Sequence, residues 1–497
     1  MNLGWGGIVR LGLVQACLGA VVVLTTSTLN RVMVVELALP ALLPGLLVAL
    51  HYLVQVTRPR MGFGSDVGGR RTPWIVGGMA VLTSGGVLAA LGTVWMASNP
   101  GAGITLAVVA FMLIGLGVSA SGTSLLVLLA KRVESSRRAP AATIVWMMMI
   151  AGFAITAGGA GKLLDPYSPE RLVAVTAAVS VAAFLVTLIA LYRVEGRPGV
   201  GPEASAVPLA AHEAKPTLEE THGRPKFPHP PRGADDVSRR PGGTFTEALT
   251  QVWREPAARR FTVFIFVSML AYSAQDLILE PFAGTVFGFT PGGSTQLAGV
   301  QHGGVLAGMI LVALVGHRFA GTALGSLRAW TVGGCLASAL ALAGLVAAGL
   351  VGPGWPLKLN VFLLGVANGA FSIAAIASMM RLATEGRHAR EGVRMGLWGA
   401  AQAVAFGLGG LVGTAASDLA RWLIGSPGLA YASVFAFEAL LFVAAALLAA
   451  RLAPAHAHAP ASASASGPVP SPGGARTDGR SEPPLSPRYG HPAVAAD

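Results

Sequence analysis

The chain has 497 residues, of which 53% are hydrophobic and only 12% are charged, and its formal net charge is +12. So apolar a composition excludes an ordinary soluble domain. The positive charge alone would be compatible with a nucleic-acid-binding protein, but its distribution along the chain indicates another cause.

Twelve apolar runs are long enough to cross a bilayer, since a membrane helix needs roughly 20 such residues. The predicted spans are 9–29, 37–57, 73–97, 103–130, 141–164, 171–192, 260–283, 294–316, 326–350, 356–382, 393–416 and 428–451. The sequence therefore predicts an all-α integral membrane protein. Cys17 and Cys335 both lie within these spans, and they form no CxxC pair.

Lys and Arg between the spans lie mainly on one side of the membrane. The loops after spans two and four carry Arg70, Arg71, Lys131 and Arg132, whereas the intervening loops carry few basic residues, such as Arg31. The positive-inside rule then places both termini in the cytoplasm. The basic excess reflects topology, so we expect no nucleic-acid partner and assign the lipid bilayer as the surroundings.

The loop after span two reads Gly62-x-x-x-Asp66-x-x-Gly69-Arg70-Arg71 and resembles the signature loop of the major facilitator superfamily. A tight glycine turn would hold an aspartate near helix ends and cationic side chains. Val67 stands where that signature usually has a basic residue. We interpret this loop as a structural clamp rather than a substrate site.

A segment rich in Pro, Gly and charge divides the spans six and six. Such a composition cannot build a core. The predicted organisation is an N-terminal six-helix bundle (1–192), a cytoplasmic linker (193–258), a C-terminal six-helix bundle (259–453) and a disordered cytoplasmic tail (454–497). Within the linker, Thr244-x-x-Glu247 forms a capping box and predicts an amphipathic helix near 244–256 on the membrane surface.

The two bundles resemble one another. Glu134, Trp146, Gly158-Gly159 and Asp165 follow span four, and they recur after span ten as Glu385, Trp398, Gly409-Gly410 and Asp418. A parallel repeat of six spans is the construction of major facilitator transporters. The sequence therefore predicts this fold.

Three stretches resemble the PucC/LhaA family, which is the bacteriochlorophyll-delivery branch of that superfamily. They are residues 28–41 (TLNRVMVVELALPA), 275–288 (QDLILEPFAGTVFG) and 390–410 (REGVRMGLWGAAQAVAFGLGG). Within the family, the details are closest to the LhaA branch, which assembles the core light-harvesting antenna. The resemblance implies a multi-pass protein of the bacterial inner (intracytoplasmic) membrane that binds or delivers bacteriochlorophyll, antenna polypeptides or both. It also implies bacteriochlorophyll synthase and the membrane insertase as partners.

Bacteriochlorophyll needs an apolar wall and an axial ligand for its magnesium, and a neutral imidazole can supply the latter. The pigment-binding candidates are His302, His51, Gln55, Asn368 and Gln402. His302 leads because Gly303, Gly304 and Gly308 would leave room for a macrocycle and Ala298 precedes it by one turn. The alternative, which carries more weight, is a histidine hydrogen-bonded between packed helices.

His51 and Gln55 share one helix face. Asn368 and Gln402 fit helix packing and cavity lining equally well, and the role of Glu438 stays open.

Span seven carries two carboxylates, Asp276 and Glu280, near its predicted periplasmic end, with Gln275 beside them and Pro281 expected to end or kink the helix. Arg31, next to Asn30, lies at the corresponding end of span one. We predict that Arg31 pairs with Asp276 or Glu280 as a latch between the bundles, and that Asn30 and Gln275 complete its hydrogen bonds. The alternative is that Glu36 takes Arg31.

An enzymatic role would require a metal-spaced cluster or a pair of aspartates at the membrane face. The sequence places its one adjacent aspartate pair, Asp235-Asp236, in the linker. We therefore expect no catalysis and no metal site beyond a possible bond from His302 to pigment magnesium. The remaining alternative is a secondary transporter of a small solute or drug with the same fold.

Overall fold

The described residues of the first half of the chain form six helices. A computed structural model describes residues 3–55, 70–134, 137–195, 245–319, 322, 325–385 and 391–452. The helices are α1 (Trp5–Val23, continued by helical turns to Glu36), α2 (Leu42–Val54), α3 (Thr72–Trp95), α4 (Pro100–Arg132), α5 (Arg138–Leu164) and α6 (Pro169–Leu191).

The second half repeats this order after a short helix in the linker. The linker helix is α7 (Phe245–Arg254), and the following helices are α8 (Pro256–Phe287), α9 (Pro291–Arg318), α10 (Leu327–Val351), α11 (Leu357–Glu385), α12 (Glu391–Ile424) and α13 (Pro427–Ala450). Each half thus contributes six apolar helices, and α1 to α6 correspond in order to α8 to α13.

The described helices confirm the predicted all-α membrane architecture. Eleven of them are long and apolar enough to cross a membrane. The twelfth predicted span, 37–57, corresponds to α2, whose 13 described residues are apolar but shorter than a span. Its continuation at 56–57, the residues Gly62, Asp66 and Gly69, the capping residue Thr244 and the tail after Leu452 lie outside the described residues.

Several predicted helix ends are wrong, and the span predicted to end at residue 416 runs on to Ile424 of α12. The first span does not end at residue 29, because two π-helical turns, Leu24–Thr28 and Val32–Glu36, carry the helix onward around Asn30 and Arg31. Pro281 neither ends nor interrupts α8, which runs on to Phe287 and stops at the left-handed Gly288, with φ of 70°. Membrane helices tolerate an interior proline when their neighbours compensate. Here Phe282 packs on the rings of Tyr431 and Phe435 of α13.

The helices pair within each half and across the halves in equivalent ways. Within the halves, α3 packs on α4 and α10 packs on α13 and α11. Across the halves, α5 packs on α9 and α2 packs on α12. Because α5 and α2 correspond to α12 and α9, these two interfaces are one contact repeated by the pseudo-two-fold symmetry. The described residues form one compact unit, so the six-plus-six division is a matter of helix pairing.

The linker helix is anchored to the second half. α7 contacts α8 and α12, and Val252 on it is buried at 1% exposure, whereas Trp253 is 44% exposed. Directly after α7, Glu255 accepts hydrogen bonds from both ends of the Arg394 guanidinium at 2.8 and 3.1 Å. This bidentate pair fixes the start of α8 to the start of α12.

Glycines allow α9 and α11 to approach until their backbones touch. A Cβ added to Gly304 would lie 2.3 Å from the carbonyl oxygen of Phe362, and one added to Gly308 would lie 2.1 Å from that of Val366. Gly303, one residue away on the same helix, has open space at that position. Small residues at such a crossing are the usual basis of helix packing in membranes.

Gly304→Ala should therefore destabilise the protein while Gly303→Ala should not. The added methyl of Gly304→Ala forces α9 and α11 apart, at a cost of about 1–3 kcal/mol in unfolding free energy. Gly303→Ala serves as the matched control and should gain up to about 1 kcal/mol from helix propensity. Chemical unfolding in detergent, followed by tryptophan fluorescence, measures both. Equal stability of the two variants would contradict the close α9–α11 contact.

Candidate functional site

A row of residues one turn apart follows one face of α8. Tyr272, Asp276, Glu280 and Gly284 are spaced by four, so they lie above one another toward the predicted periplasmic end. Asp276 is partly exposed and accepts a hydrogen bond from the Gln301 amide of α9 at 3.1 Å. Glu280 is 2% exposed, and neither of its carboxylate oxygens has a hydrogen-bond partner. Ser294 lies beside Glu280, but its hydroxyl donates to the carbonyl of Pro291 at 3.1 Å.

A third carboxylate comes from the last helix. Glu438 of α13 is completely buried, its two oxygens have no hydrogen-bond partner, and it lies close enough to Asp276 for their charges to interact. Its neighbours along α13 are apolar rings, since Phe435 contacts Phe282 and Phe442 contacts Phe371. The sequence indicates no partner for Glu438, whereas the structure places its charge within range of that of Asp276.

Aromatic rings surround the inner end of the row. The ring of Tyr272 lies 5.9 Å from that of Phe406 and 6.4 Å from that of Phe371, measured between centroids. Phe406 of α12 in turn lies 5.5 Å from Tyr52 of α2. The line of rings therefore extends from the second half of the chain into the first half beside Asp276.

The predicted ion pair of the latch, between Arg31 and Asp276 or Glu280, is wrong. Arg31 is buried, but it pairs with Glu36, five residues further along α1, and donates a second hydrogen bond to the carbonyl of Phe289 at 2.7 Å. Neither Asp276 nor Glu280 comes within ion-pair distance of it. The π-helical turn Val32–Glu36 explains the difference, because it brings Glu36 back toward the guanidinium.

Contacts between α1 and α8 nevertheless hold the halves together at this end. Asn30 donates a hydrogen bond to the carbonyl of Leu277 at 2.6 Å. The Arg31 guanidinium lies over Gly284, where a Cβ would come within 3.0 Å of it. Gln275 takes no part, since both atoms of its buried amide lack a partner. The halves are thus joined through backbone carbonyls and close packing rather than through the carboxylates.

The repeated aspartates close the same side of the molecule. Asp418, in the last turns of α12, accepts hydrogen bonds from the backbone N–H groups of Ala41 at 3.0 Å and Leu42 at 2.7 Å, where α2 begins. Asp165, which follows α5, accepts a hydrogen bond at 3.0 Å from Thr290, the residue that caps α9. The two contacts occupy equivalent positions in the repeat, and a carboxylate at a helix N-terminus is electrostatically favourable.

His302 lies at the α5–α9 interface in a packed setting. Its Nδ1 donates to the carbonyl oxygen of Ala298 at 2.8 Å, which leaves Nε2 as the atom with a free lone pair. The imidazole meets the ring of Phe153 edge to face, with centroids 4.9 Å apart. The expected room for a macrocycle at Gly304 and Gly308 is not there, because α11 fills it. The described contacts favour the packing interpretation, and ligation of magnesium stays a prediction.

The other intramembrane candidates differ in their contacts. His51 and Gln55 face each other as predicted, with 2.9 Å between His51 Nε2 and Gln55 Nε2. Asn368 is fully buried and accepts a hydrogen bond from Ser338 of α10 at 2.8 Å, which indicates helix packing. Gln402 is partly exposed.

Only the end of the predicted signature loop lies within the described residues. Arg70 is exposed, and the backbone N–H groups of Arg71 and Thr72 donate to the carboxylate of Glu195 at 2.8–3.1 Å. Partial burial opposes ionisation of Glu195, but the hydrogen bonds from Thr72 and Arg71 and the charge of Arg70 outweigh it and lower the pKa of this carboxylate. Glu195 thus caps α3 from the end of α6, which agrees with a structural clamp.

Two apolar grooves open on the membrane-facing surface. The larger, of 680 Å³, lies between α10 and α11, and the smaller, of 490 Å³, lies between α3 and α4. The helices that flank the larger groove expose Leu340, Leu359 and Leu363 by more than half, as lipid-facing side chains do. We call these the α10–α11 groove and the α3–α4 groove.

The two grooves are built from equivalent residues. The α3–α4 groove is lined by Trp74, Gly77, Val81, Leu113, Leu116 and Ala120. The residues at matching positions of the α10–α11 groove are Trp330, Gly333, Ala337, Leu363, Val366 and Ala370. The first glycine of each Trp-x-x-Gly-Gly motif faces open space, whereas the second touches the neighbouring helix. This repeat is visible in the sequence as WIVGG and WTVGG, although the sequence analysis did not single it out.

Comparison with known proteins identifies the relatives of this chain. A family profile described as "PUCC protein" matches residues 28–224 and 229–457. A protein of Rhodobacter capsulatus named "Bacteriochlorophyll synthase 44.5 kDa chain" is 51% identical over 449 residues, which cover 90% of this chain and 96% of that protein. "Protein PucC" of Cereibacter sphaeroides is 29% identical over 454 residues, with coverage of 87% and 88%.

Solved structures share the fold at low sequence identity. A D-xylose-proton symporter superposes with a TM-score of 0.64 at 14% identity, covering 90% of this chain and 98% of the symporter. A POT family transporter solved in complex with a thioalcohol-conjugated peptide gives 0.61 at 13% identity, with coverage of 89% and 95%. These similarities confirm the predicted major facilitator fold.

A double-mutant cycle should couple Arg31 to Glu36 and not to Asp276. Glu36→Gln alone leaves a buried guanidinium without its carboxylate, so Arg31→Ala combined with Glu36→Gln should cost less than the two single changes added together. We expect a coupling free energy of about 0.5–3 kcal/mol from chemical unfolding in detergent.

The control cycle pairs Arg31→Ala with Asp276→Asn. Its two effects should add to within about 0.5 kcal/mol, because the residues share no contact. Coupling in the control cycle, together with additivity in the first, would reinstate the latch between Arg31 and the α8 carboxylates.

Proposed function

Because the chain belongs to the PUCC protein family, we propose that it is an assembly factor for a photosynthetic light-harvesting antenna and handles bacteriochlorophyll within the membrane. The observation that carries this proposal is the family match over residues 28–224 and 229–457, together with a 51% identical relative whose name refers to bacteriochlorophyll. The finer assignment, to the core antenna and the LhaA branch, rests on the sequence resemblance.

The α10–α11 groove supports handling of a large apolar molecule. Its 680 Å³ falls within the usual range of ligand sites, about 300–1,000 Å³. Its wall is almost wholly apolar, and the lining glycines and alanines allow a flat ring system to approach the helix backbone closely. Asn360, in its lining, is held by the Trp355 indole at 3.0 Å and by the carbonyl of Ala341 at 2.8 Å.

The position of the grooves suits delivery within the bilayer. Both open sideways toward lipid, whereas a solute carrier binds its substrate between the halves at the midplane. A pigment with an isoprenoid tail can enter such a groove from the lipid phase and leave it toward a neighbouring membrane polypeptide. We propose antenna polypeptides as the recipients, and bacteriochlorophyll synthase and the membrane insertase as further partners.

We propose that the chain itself is not an enzyme and that it resides in the bacterial inner (intracytoplasmic) membrane with both termini in the cytoplasm. The word "synthase" in the name of one relative belongs to that relative. Within the described ranges, no group of three or more His, Cys, Asp or Glu side chains is arranged to hold a metal ion. Asp235-Asp236 lies outside those ranges.

Secondary transport of a small solute is the second candidate function. The carboxylates Asp276, Glu280 and Glu438 within α8 and α13 favour it, because ionisable groups within membrane helices commonly mark ion or substrate pathways. Two measurements distinguish the functions. In proteoliposomes, a carrier would take up a labelled solute when an ion or solute gradient is imposed. An assembly factor would instead co-purify with pigment and antenna polypeptides.

Deletion of the gene in a photosynthetic host should lower core antenna while pigment synthesis remains competent. The expected readout is antenna absorption per reaction centre in isolated membranes, with total bacteriochlorophyll extracted into solvent as the control for synthesis. Normal antenna absorption in a strain that lacks this protein and its family paralogues would contradict the proposed function.

Filling the α10–α11 groove should remove bound pigment without unfolding the protein. Gly333 faces open space in the groove, so the side chain of Gly333→Phe fits without a clash and occupies the ligand volume. Gly399→Phe is the matched control, because Gly399 also faces open space but lies on α12, outside the groove. Mild-detergent purification followed by an absorption spectrum should show a severalfold loss of pigment for Gly333→Phe only.

Two outcomes would contradict the groove assignment. One is equal pigment content in the Gly333→Phe and Gly399→Phe proteins. The other is loss of pigment in His302→Phe with full retention in Gly333→Phe, which would place the pigment at the α5–α9 interface.

A further inference from the structure

We propose that Asp276 and Glu438 form a proton-binding site whose occupancy is linked to the contact between the two halves of the molecule. The proposal goes beyond pigment handling and does not depend on it. It rests on the placement of two carboxylates inside the bilayer region with no cation beside them.

The two carboxylates lie at the same depth. α8 and α13 cross the membrane in opposite directions and are in register where Phe282 packs on Tyr431 and Phe435, with ring centroids 5.5 and 5.1 Å apart. Asp276 lies about 9 Å from Phe282 along α8, at 1.5 Å per residue, and Glu438 lies at a similar distance beyond Tyr431 along α13. Their charges interact across this helix pair.

Glu438 cannot remain ionised in this setting at low cost. It is 0% exposed, its oxygens accept no hydrogen bond, and Phe435 and Phe442 lie about one turn to either side of it on α13. An unpaired charge buried in such a medium costs several kcal/mol. A proton is the ligand that removes this cost, because a metal cation would need several further oxygen ligands that the surrounding rings do not supply.

Asp276 provides the accessible member of the pair. It is partly exposed, whereas Glu438 is not, so a proton reaches Glu438 by way of Asp276. Two carboxyl groups whose charges interact across a helix pair favour binding one proton over carrying two charges. Uptake therefore adds one proton to the pair, and release proceeds by way of Asp276.

The surrounding titratable groups leave the pair without a counter-charge. On α8, Tyr272 and Glu280 lie one turn to either side of Asp276, and Tyr52 of α2 stands beyond Tyr272. On α1, Arg31 faces Glu280 and is bound to Glu36. On α9, the imidazole of His302 is bound to Ala298.

The other elements that pack on α8 or α13 carry cations near their ends: Arg328 of α10 donates to the carbonyl of Ala450, and Lys358 is exposed at the start of α11. α12 carries Arg394 and Asp418 toward its two ends, each held by its own partner. Among the residues the structure describes, no Lys, Arg or His forms an ion pair with Asp276, Glu280 or Glu438.

The link to conformation runs through α9. Gln301, which donates to Asp276 at 3.1 Å, belongs to the helix that packs on α5 of the other half. Protonation of Asp276 removes the negative charge that accepts the Gln301 hydrogen bond, and the contact between α8 and α9 is therefore weakened. A proton on the pair is thus expected to change how firmly the α5–α9 interface is held.

The test measures the separation of the two halves as a function of pH. Glu170 and Ser426 are exposed at the starts of α6 and α13, on the same side of the molecule, and would be replaced by cysteine for spin labelling after substitution of Cys17 and Cys335 by alanine. Distances in lipid nanodiscs would be recorded between about pH 5 and about pH 9, a range wide enough for a shifted carboxyl group.

The wild-type label distance should change with pH along a single transition. In Glu438→Gln the midpoint should move by about one pH unit or more, which is a tenfold or larger change in proton affinity. In Asp276→Asn the transition should disappear. Glu134→Gln, which changes an exposed carboxylate on the opposite side of the molecule, should behave as wild type. Infrared difference spectra should show a protonated carboxyl band in wild type whose titration midpoint moves in Glu438→Gln.

A transition that is absent in wild type, or identical in all four proteins, would overturn the proposal. A monodisperse elution profile for each variant, together with the infrared band, separates loss of the proton site from loss of the fold. A transition that follows sodium concentration at constant pH would likewise overturn it in favour of a metal cation.

Discussion

The cost of an uncompensated charge inside the bilayer determines where the polar residues of this protein lie. An ionised group at that depth costs several kcal/mol unless it is paired or reaches water. Arg31 meets this constraint with Glu36 and a backbone carbonyl, and Arg394 meets it with Glu255. Asp418 meets it at the start of α2. Glu280 and Glu438 remain without hydrogen-bond partners, which sets the α8–α13 region apart from the rest of the molecule.

The same constraint explains how the two halves are joined. At the end where α8 terminates, the contacts between halves use helix N-termini and backbone carbonyls, through Asp418, Asn30 and Arg31. In the interior they use glycines, as where Gly158 of α5 meets Gly299 of α9. The glycine contacts need no charged side chain in the membrane interior, and the contacts of Asp165 and Asp418 occupy equivalent positions of the repeat.

The fold could be predicted largely from the sequence, because a membrane helix depends on a long apolar run and on little else. The twelve runs, the six-plus-six division and the repeat of Asp165 at Asp418 all follow from local residue types. Helix ends were less predictable. Pro281 predicts an end, but packing of Phe282 on α13 sustains the helix, and that packing depends on residues about 150 positions away along the chain.

The candidate site was less predictable because it depends on which neighbours meet. The depth of Arg31 in the membrane predicts a pair with the α8 carboxylates. The π-helical segment Val32–Glu36 instead brings Glu36 toward the guanidinium, and no residue pattern predicts such a segment. The glycines beside His302 indicated a cavity, yet a glycine equally admits a neighbouring backbone, and α11 occupies that space. The Trp-x-x-Gly-Gly repeat could have been found in the sequence; only the structure shows that its first glycine faces a groove.

These features describe a transporter fold with its apolar cavities on the lipid side, which is the arrangement that handling a membrane-soluble pigment requires. The most direct measurement is titration of the purified protein in lipid nanodiscs with bacteriochlorophyll, followed by the pigment's absorption band. The proposed function predicts a saturable shift with a fixed ratio of pigment to protein, abolished when the α10–α11 groove is filled. A signal that rises without saturation and equals that of empty nanodiscs would contradict it.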